Sequence, residues 1–286
     1  MSGAVSRALV LGSGESIGFS WQWGVLTSLY DAGIDVLDVE LMVGTSVGST
    51  AAVELTTGDP HRMLDHIVAD EPRERNSPPA ADAFVQMVAQ AIGRHSDAQA
   101  ILAEIGALAL AASGGPTDTM RKIVLGSLRV REWPEQRLLI PAVDAGTGEL
   151  TVFARDSGVS LVDAMCASCA LPGVWTPFAL SGRHYIDGST RSSTNADLAA
   201  GYDRVLVVAP VNGIRGIPGA SFDESLEPVR ERGKAFLIKP DQVSKQAMGR
   251  DVFDMSRRVP AARAGLAQGQ SVAGAVKDFW LDGADG

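Results

Sequence analysis

ALVLGSGESIGFSWQWGVLTSLYDAGI (residues 8–34) and LMVGTSVGST (residues 41–50) decide how this chain folds. The first opens on a short apolar strand, Ala8-Leu9-Val10-Leu11, and turns through Gly12-Ser13-Gly14-Glu15-Ser16. A helical pattern follows from about Gly18 to Ala32, with Val25, Leu26 and Leu29 on one face and Gly33 as its stop. Leu41-Met42-Val43 reads as a second strand broken by Gly44. A second helix starts near Ser46 and ends near Gly58-Asp59-Pro60. Strand–helix–strand succession predicts an α/β fold, a mostly parallel central sheet with helices on both faces.

Further along, residues 70–82 are charged and proline-rich and read as a surface loop. Residues 83–113 read as two helices. One carries the apolar stripe Phe84, Met87, Val88, Ala91 and Ile92; the other carries Ile101, Leu102, Ile105 and Leu108. Core packing is the plain reading of these stripes, and a cover over an acyl-binding cleft is the other. Ser113-Gly114-Gly115-Pro116 closes the section. Leu138-Leu139-Ile140 and Leu150-Thr151-Val152-Phe153 read as strands around a Gly146-Thr147-Gly148 turn. A helix is expected over Leu161–Leu171, stopped by Pro172, with strands at Tyr185-Ile186-Asp187 and Val205–Val208. The tail from about Asp241 reads as helical.

The bulk composition limits the function. With 286 residues, 45% hydrophobic and 21% charged, the chain can bury a substantial core. One domain over 1–286 is the simplest division, with the motifs in about 8–210 and a mostly helical part over 211–286. The net charge of −9 argues against nucleic acid and against attraction to an anionic membrane. Any transient membrane-surface contact would be driven by local apolar surface. Residues 1–7 show no basic region leading into a long apolar one, and no run of 18 apolar residues exists, so a cytoplasmic protein is expected. Cys166 and Cys169 are too few for a disulfide framework or a zinc site, and they read as packing residues at the end of a helix.

Two constellations could carry chemistry. Gly44-Thr45-Ser46-Val47-Gly48 fits G-x-S-x-G between a strand and a helix. That pattern holds a nucleophilic serine on a sharp turn whose small neighbours allow a strained backbone. A structural glycine turn is its plain alternative. Gly12-Ser13-Gly14-Glu15-Ser16 opens a helix and would aim backbone N–H groups at an anion, a phosphate or an oxyanion. A dinucleotide fingerprint would need glycine where Ile17 stands. The base is the open question. Only His61, His66, His95 and His184 exist, so a triad in α/β-hydrolase order would have to be Ser46–Asp163–His184. Asp187, a carboxylate at a strand end before Gly188, is the better candidate.

Four blocks then carry a resemblance to the patatin-like phospholipases: residues 8–34, LMVGTSVGSTAA (41–52), the pair LLIPAVDAGTGELTVF (138–153) and MCASCALPGVWTPF (165–178), and RHYIDGSTRSSTNADLAAGYDRVLVVAP (183–210). The resemblance implies hydrolysis of phospholipid, lysophospholipid or other lipid esters by a Ser46–Asp187 dyad, with no metal and no organic cofactor. It also implies an oxyanion hole from the backbone N–H groups of Gly14, Glu15 and Ser16, with Gly44 and Gly48 as the elbow glycines. The chain departs from the family pattern where Ser13 and Glu15 interrupt the glycine run, where Ile17 replaces an arginine, and where Asp187-Gly188-Ser189 replaces Asp-Gly-Gly or Asp-Gly-Ala. The altered loop leaves one alternative, a weak or inactive member that binds lipid or protein.

Overall fold

In the computed structural model, residues 5–69, 80–112 and 114–281 are described. Most of the loop expected over 70–82 and Ser113 lie outside them, as do Met1–Ala4. The order is β1 (Arg7–Leu11), α1 (Glu15–Asp31), β2 (Leu41–Gly44), α2 (Val47–Leu55), α3 (Pro60–Ala69), α4 (Ala80–Arg94), α5 (Ala98–Ala111) and α6 (Thr117–Ser127). There follow β3 (Leu138–Asp144), β4 (Leu150–Phe153), α7 (Leu161–Ser168), β5 (Phe178–Leu180), β6 (Arg183–Asp187) and β7 (Arg204–Val208). The last are α8 (Phe222–Arg230), β8 (Lys234–Ile238), α9 (Gln242–Met248) and α10 (Arg258–Leu281).

The strands form one mixed sheet in the order β5-β6-β3-β2-β1-β7-β8, with β4 paired to β3. From β3 through β8 the neighbours run parallel; β4, β5 and β6 add antiparallel pairs at the other end. The central strands are apolar on both faces, as a sheet covered by helices on each side requires. Leu9, Leu11, Met42, Leu206 and Val208 enter the larger core with α1, α2, α7 and α10. Their alternating neighbours Ala8, Val10, Val43, Val205 and Val207 enter a second core with Phe222, Leu226 and Val229 of α8. Helix α1 is buried nearly all round. At Gly24 an added Cβ would stand 2.1 Å from Ala262 O, so α1 and α10 pack backbone to backbone.

Several boundaries differ from the sequence reading. Helix α1 starts at Glu15, not near Gly18, because Gly14 and Glu15 take positive φ and fold the turn tightly. Pro60 opens α3 instead of closing α2: proline lacks an N–H and is suited to a first helical position. Helix α6, with Met120 and Val124 buried four residues apart, was not expected. Helix α7 ends at Ser168, three residues early, so that Ala170 O can accept from Asp187 N at 3.0 Å. Strands β5 and β8 were also missed, and β8 extends the sheet within the part over 211–286 read as mostly helical. The stripes of α4 and α5 do pack into a core, through Val88, Ala91, Ile101, Leu102 and Ile105.

Candidate active site

The turn from β2 into α2 is built for close approach. An added Cβ at Gly44 would stand 2.6 Å from Ser49 Cα, and at Gly48 2.1 Å from Leu11 O. Ser46 between them takes φ 54° and ψ −125°, a backbone that costs an L-residue on the order of 1–3 kcal/mol. The surroundings hold it there. Ser46 N–H donates to Ser168 Oγ at 3.0 Å, Ser168 Oγ donates to Pro141 O at 2.7 Å, and Ser49 Oγ donates to Ser46 O at 2.6 Å.

Asp187 arrives from the end of β6, where it pairs in register with Ala142 of β3. Its carboxylate is fully buried and splits its two oxygens: Ser46 Oγ donates to Oδ2 at 2.7 Å and Ser189 N–H to Oδ1 at 2.7 Å. Burial pushes the carboxyl up to about 6, against the lowering effect of those two hydrogen bonds. Gly188 follows because an added Cβ would meet Pro141 O at 2.3 Å. Asn195, in the left-handed region, donates from Nδ2 to Gly188 O and to Thr45 Oγ1, each at 3.2 Å, and so ties the two turns together.

The glycine-containing turn after β1 lies beside this pair. Ser13 N–H is taken up by Ser193 O at 2.8 Å, while Gly14, Glu15 and Ser16 head α1, where backbone N–H groups have no intrahelical acceptor. A cavity of about 330 Å³ opens there. Its lining includes Gly14, Glu15 and Ser189 together with the apolar side chains of Leu171, Val211 and Phe253. Phe84 and Val85 at the start of α4 also line it, so that helix both packs in the core and edges the cleft. Glu15 is the outlier. It carries a side chain at φ 50°, and burial together with the charge of Asp187 pushes its carboxyl up to about 8.

The histidines stand elsewhere. His184 is exposed on β6, opposite Ala179 of β5, and Asp163 is engaged by Arg121 and by Ser160. The Ser46–Asp163–His184 order therefore has no spatial counterpart. His61 pairs with Asp31, and His95 lies 3.9 Å from Glu104. Cys166 is buried in the main core. Cys169 lies against the site: burial and the charge of Asp187 raise its thiol well above the usual value, with a smaller opposing effect from Ser46. Ser168 and Asn195 escaped the sequence reading, since neither sits in a recognisable motif, and Cys169 was read only as a packing residue. Among the described residues no group of three or more His, Cys, Asp and Glu could hold a metal ion, and no helix is long and apolar enough to cross a membrane.

Fold and site together define an α/β protein in which a buried serine and a buried carboxylate are hydrogen-bonded near a cavity of about 330 Å³. The chain belongs to the patatin-like phospholipase family, whose model matches residues 9–200, and that family is one of lipid acyl-hydrolases. Among solved structures it is similar to VipD from Legionella pneumophila, with a TM-score of 0.44 and 12% identity over 95% of this chain and 67% of that one. It is also similar to the type III effector protein ExoU, with a TM-score of 0.37 and 17% identity over 94% of this chain and 53% of that one. The chain thus spans about half the length of ExoU. No curated protein sequence matches it.

Proposed function

We infer that the chain, acting as one acyl-hydrolase domain, cleaves carboxylic esters of lipids through Ser46 and Asp187. The observation that carries this reading is the 2.7 Å hydrogen bond from Ser46 Oγ to Asp187 Oδ2 at a strained elbow. Asp187 accepts the hydroxyl proton as Ser46 Oγ bonds to the ester carbonyl carbon. The N–H groups of Gly14, Glu15 and Ser16 stabilise the oxyanion. Collapse of the tetrahedral intermediate breaks the bond to the alcohol, which leaves with the proton from Asp187. Water then attacks the acyl-enzyme and gives its proton to Asp187; as the fatty acid departs, Asp187 returns that proton to Ser46 Oγ, which restores the hydroxyl and the carboxylate. No step draws on a metal or an organic cofactor.

The cleft suits a lipid acyl group because Leu171, Val211 and Phe253 are among its lining residues and its volume lies within the range of small-molecule sites. Val85, 65% exposed, gives the rim apolar surface on which a lipid aggregate could rest. The test is covalent labelling by a fluorophosphonate, together with turnover of a panel of lipid esters, for the wild type and for Ser46→Ala. Labelling and turnover that vanish in the variant support the reading. A wild type that binds lipid but neither labels nor turns over is instead an inactive binding member of the family.

A further inference from the structure

A second cavity, of about 300 Å³, opens between α1, α3, the end of α6 and the start of α10. Its lining shares no residue with that of the cavity at Glu15. The walls are fixed from behind. Trp23 Nε1 donates to Pro60 O at 2.7 Å and holds the first turn of α3 against α1. Trp23 also stacks on Phe19, with ring centroids 5.6 Å apart, and Phe19 and Met63 give the cavity apolar lining. Arg62 and His66, four residues apart and so on one face of α3, line it as well.

Arg129 enters from the turn after α6. The buried carboxylate of Glu54 accepts from its backbone N–H and from its Nε, each at 2.7 Å, and Thr57 Oγ1 accepts from Nη2. The fold therefore sets the position of this guanidinium. Half-buried Arg258 lines the cavity from the first residue of α10. Three guanidinium groups and one imidazole thus line the space, and among the described residues no carboxylate does. Glu54, bonded to Arg129, balances one of the three. In a chain of net charge −9 such a cluster runs against the overall balance, so its attraction for an anion is local.

The arrangement also selects among anions. The cations come from α3, from the turn after α6 and from α10, so their donors call for acceptor oxygens on several sides. A carboxylate offers two oxygens in one plane and suits a single guanidinium fork. A phosphate monoester offers three oxygens, enough to meet more than one fork at once.

We propose that this cavity is a phosphate-binding site, separate from Ser46. Its ligand is a phosphate group, either the headgroup of a lipid such as phosphatidic acid or free phosphate. Arg62, Arg129 and Arg258 hold the oxygens, and Phe19 and Met63 cover the carbon skeleton that carries them. Binding there requires no turnover at Ser46.

The experiment titrates the full chain with inorganic phosphate by calorimetry and sediments it with phosphatidylcholine vesicles, with and without phosphatidic acid. Every chain in the vesicle arm carries Ser46→Ala, so that no lipid is hydrolysed. Arg62→Gln and Arg258→Gln each remove a lining charge, and Lys277→Gln removes an exposed charge elsewhere on α10. Arg62 is exposed, so its variant keeps the core intact if Arg258→Gln folds poorly; circular dichroism checks both. The wild type should bind at least one probe saturably, and each arginine variant should bind it roughly tenfold more weakly, with Lys277→Gln unchanged. Phosphate binding without a vesicle preference assigns free phosphate, and a preference for phosphatidic acid vesicles assigns the headgroup; either supports the site. Binding of neither probe overturns it. So does binding that Arg62→Gln leaves unchanged, or that Lys277→Gln weakens as much.

Discussion

Ser46 Oγ and Asp187 Oδ2 lie 2.7 Å apart with no imidazole between them, although the two residues are 141 positions apart in sequence. One comes from the turn after β2 and the other from the end of β6, and β3 lies between those strands in the sheet. The contact places a proton acceptor directly on the hydroxyl, which in a triad is the place of a histidine.

Asp187→Asn should therefore lower turnover by about 10²- to 10⁴-fold, since the amide keeps the shape and loses the acceptor. His184→Ala should have a far smaller effect, because that side chain is exposed on β6. Both variants assayed on one ester, with circular dichroism as a folding control, decide the matter. A dead His184→Ala beside an active Asp187→Asn would contradict the dyad.

The same carboxyl sets the acid side of the pH profile. Asp187 must be ionised to accept a proton, and burial raises it to about 6. Plotted against pH, kcat/KM should climb through that value and fall off below it. A profile flat down to pH 4 would rule out this base.

Stability should move against activity. The native state holds the Asp187 proton at pH values where the unfolded chain, near 3.9, has lost it. Wild-type stability from this group is thus fully present below about 4 and is lost as pH rises through about 6. Asp187→Asn should be the more stable protein at pH 7, by about 2 kcal/mol, and the gap should close on acidification. Thermal unfolding at pH 5 and pH 8 measures it; a variant less stable than the wild type at both would refute the expectation.

Ser168 is expected to hold the elbow. Its Oγ accepts from Ser46 N–H and donates to Pro141 O. Ser168→Ala leaves a buried N–H unpaired, at about 1–3 kcal/mol. It should lower kcat more than it raises KM, since the nucleophile is displaced and the cleft walls are untouched. A pure KM effect would show that Ser168 acts on the cleft instead.

Gly48→Ala should be the most damaging of these changes. Its Cβ would stand 2.1 Å from Leu11 O, in backbone that cannot yield without separating β1 from α2. A loss of roughly 3 kcal/mol or more, or failure to fold, is expected in urea unfolding. A variant as stable as the wild type would mean that the elbow is looser than its geometry indicates.

Much of this was written in the chain locally. The β1-α1-β2 start, the serine on a strand-to-helix turn, the Asp187-Gly188 strand end and the apolar stripes of α4 and α5 all follow from patterns within a few residues. The short edge strand β5, the half-exposed β8 and the antiparallel end of the sheet do not, because strands of three to five residues are specified by their partners more than by their own sequence. Pro60 shows how one residue can read both ways: as a stop for one helix or as the first residue of the next.

By itself, then, the sequence determined which residue types could do the chemistry and on which local turns they would sit. Only the tertiary structure decided which of them meet. The Ser46–Asp187 contact needs β6 to pair with β3, and the Ser46 N–H needs α7 to stop at Ser168. Likewise, the raised carboxyls of Asp187 and Glu15 need the burial that the whole fold imposes. Hydrogen-bond partners and desolvation are set by neighbours far away along the chain, so no local pattern of residues could have shown them.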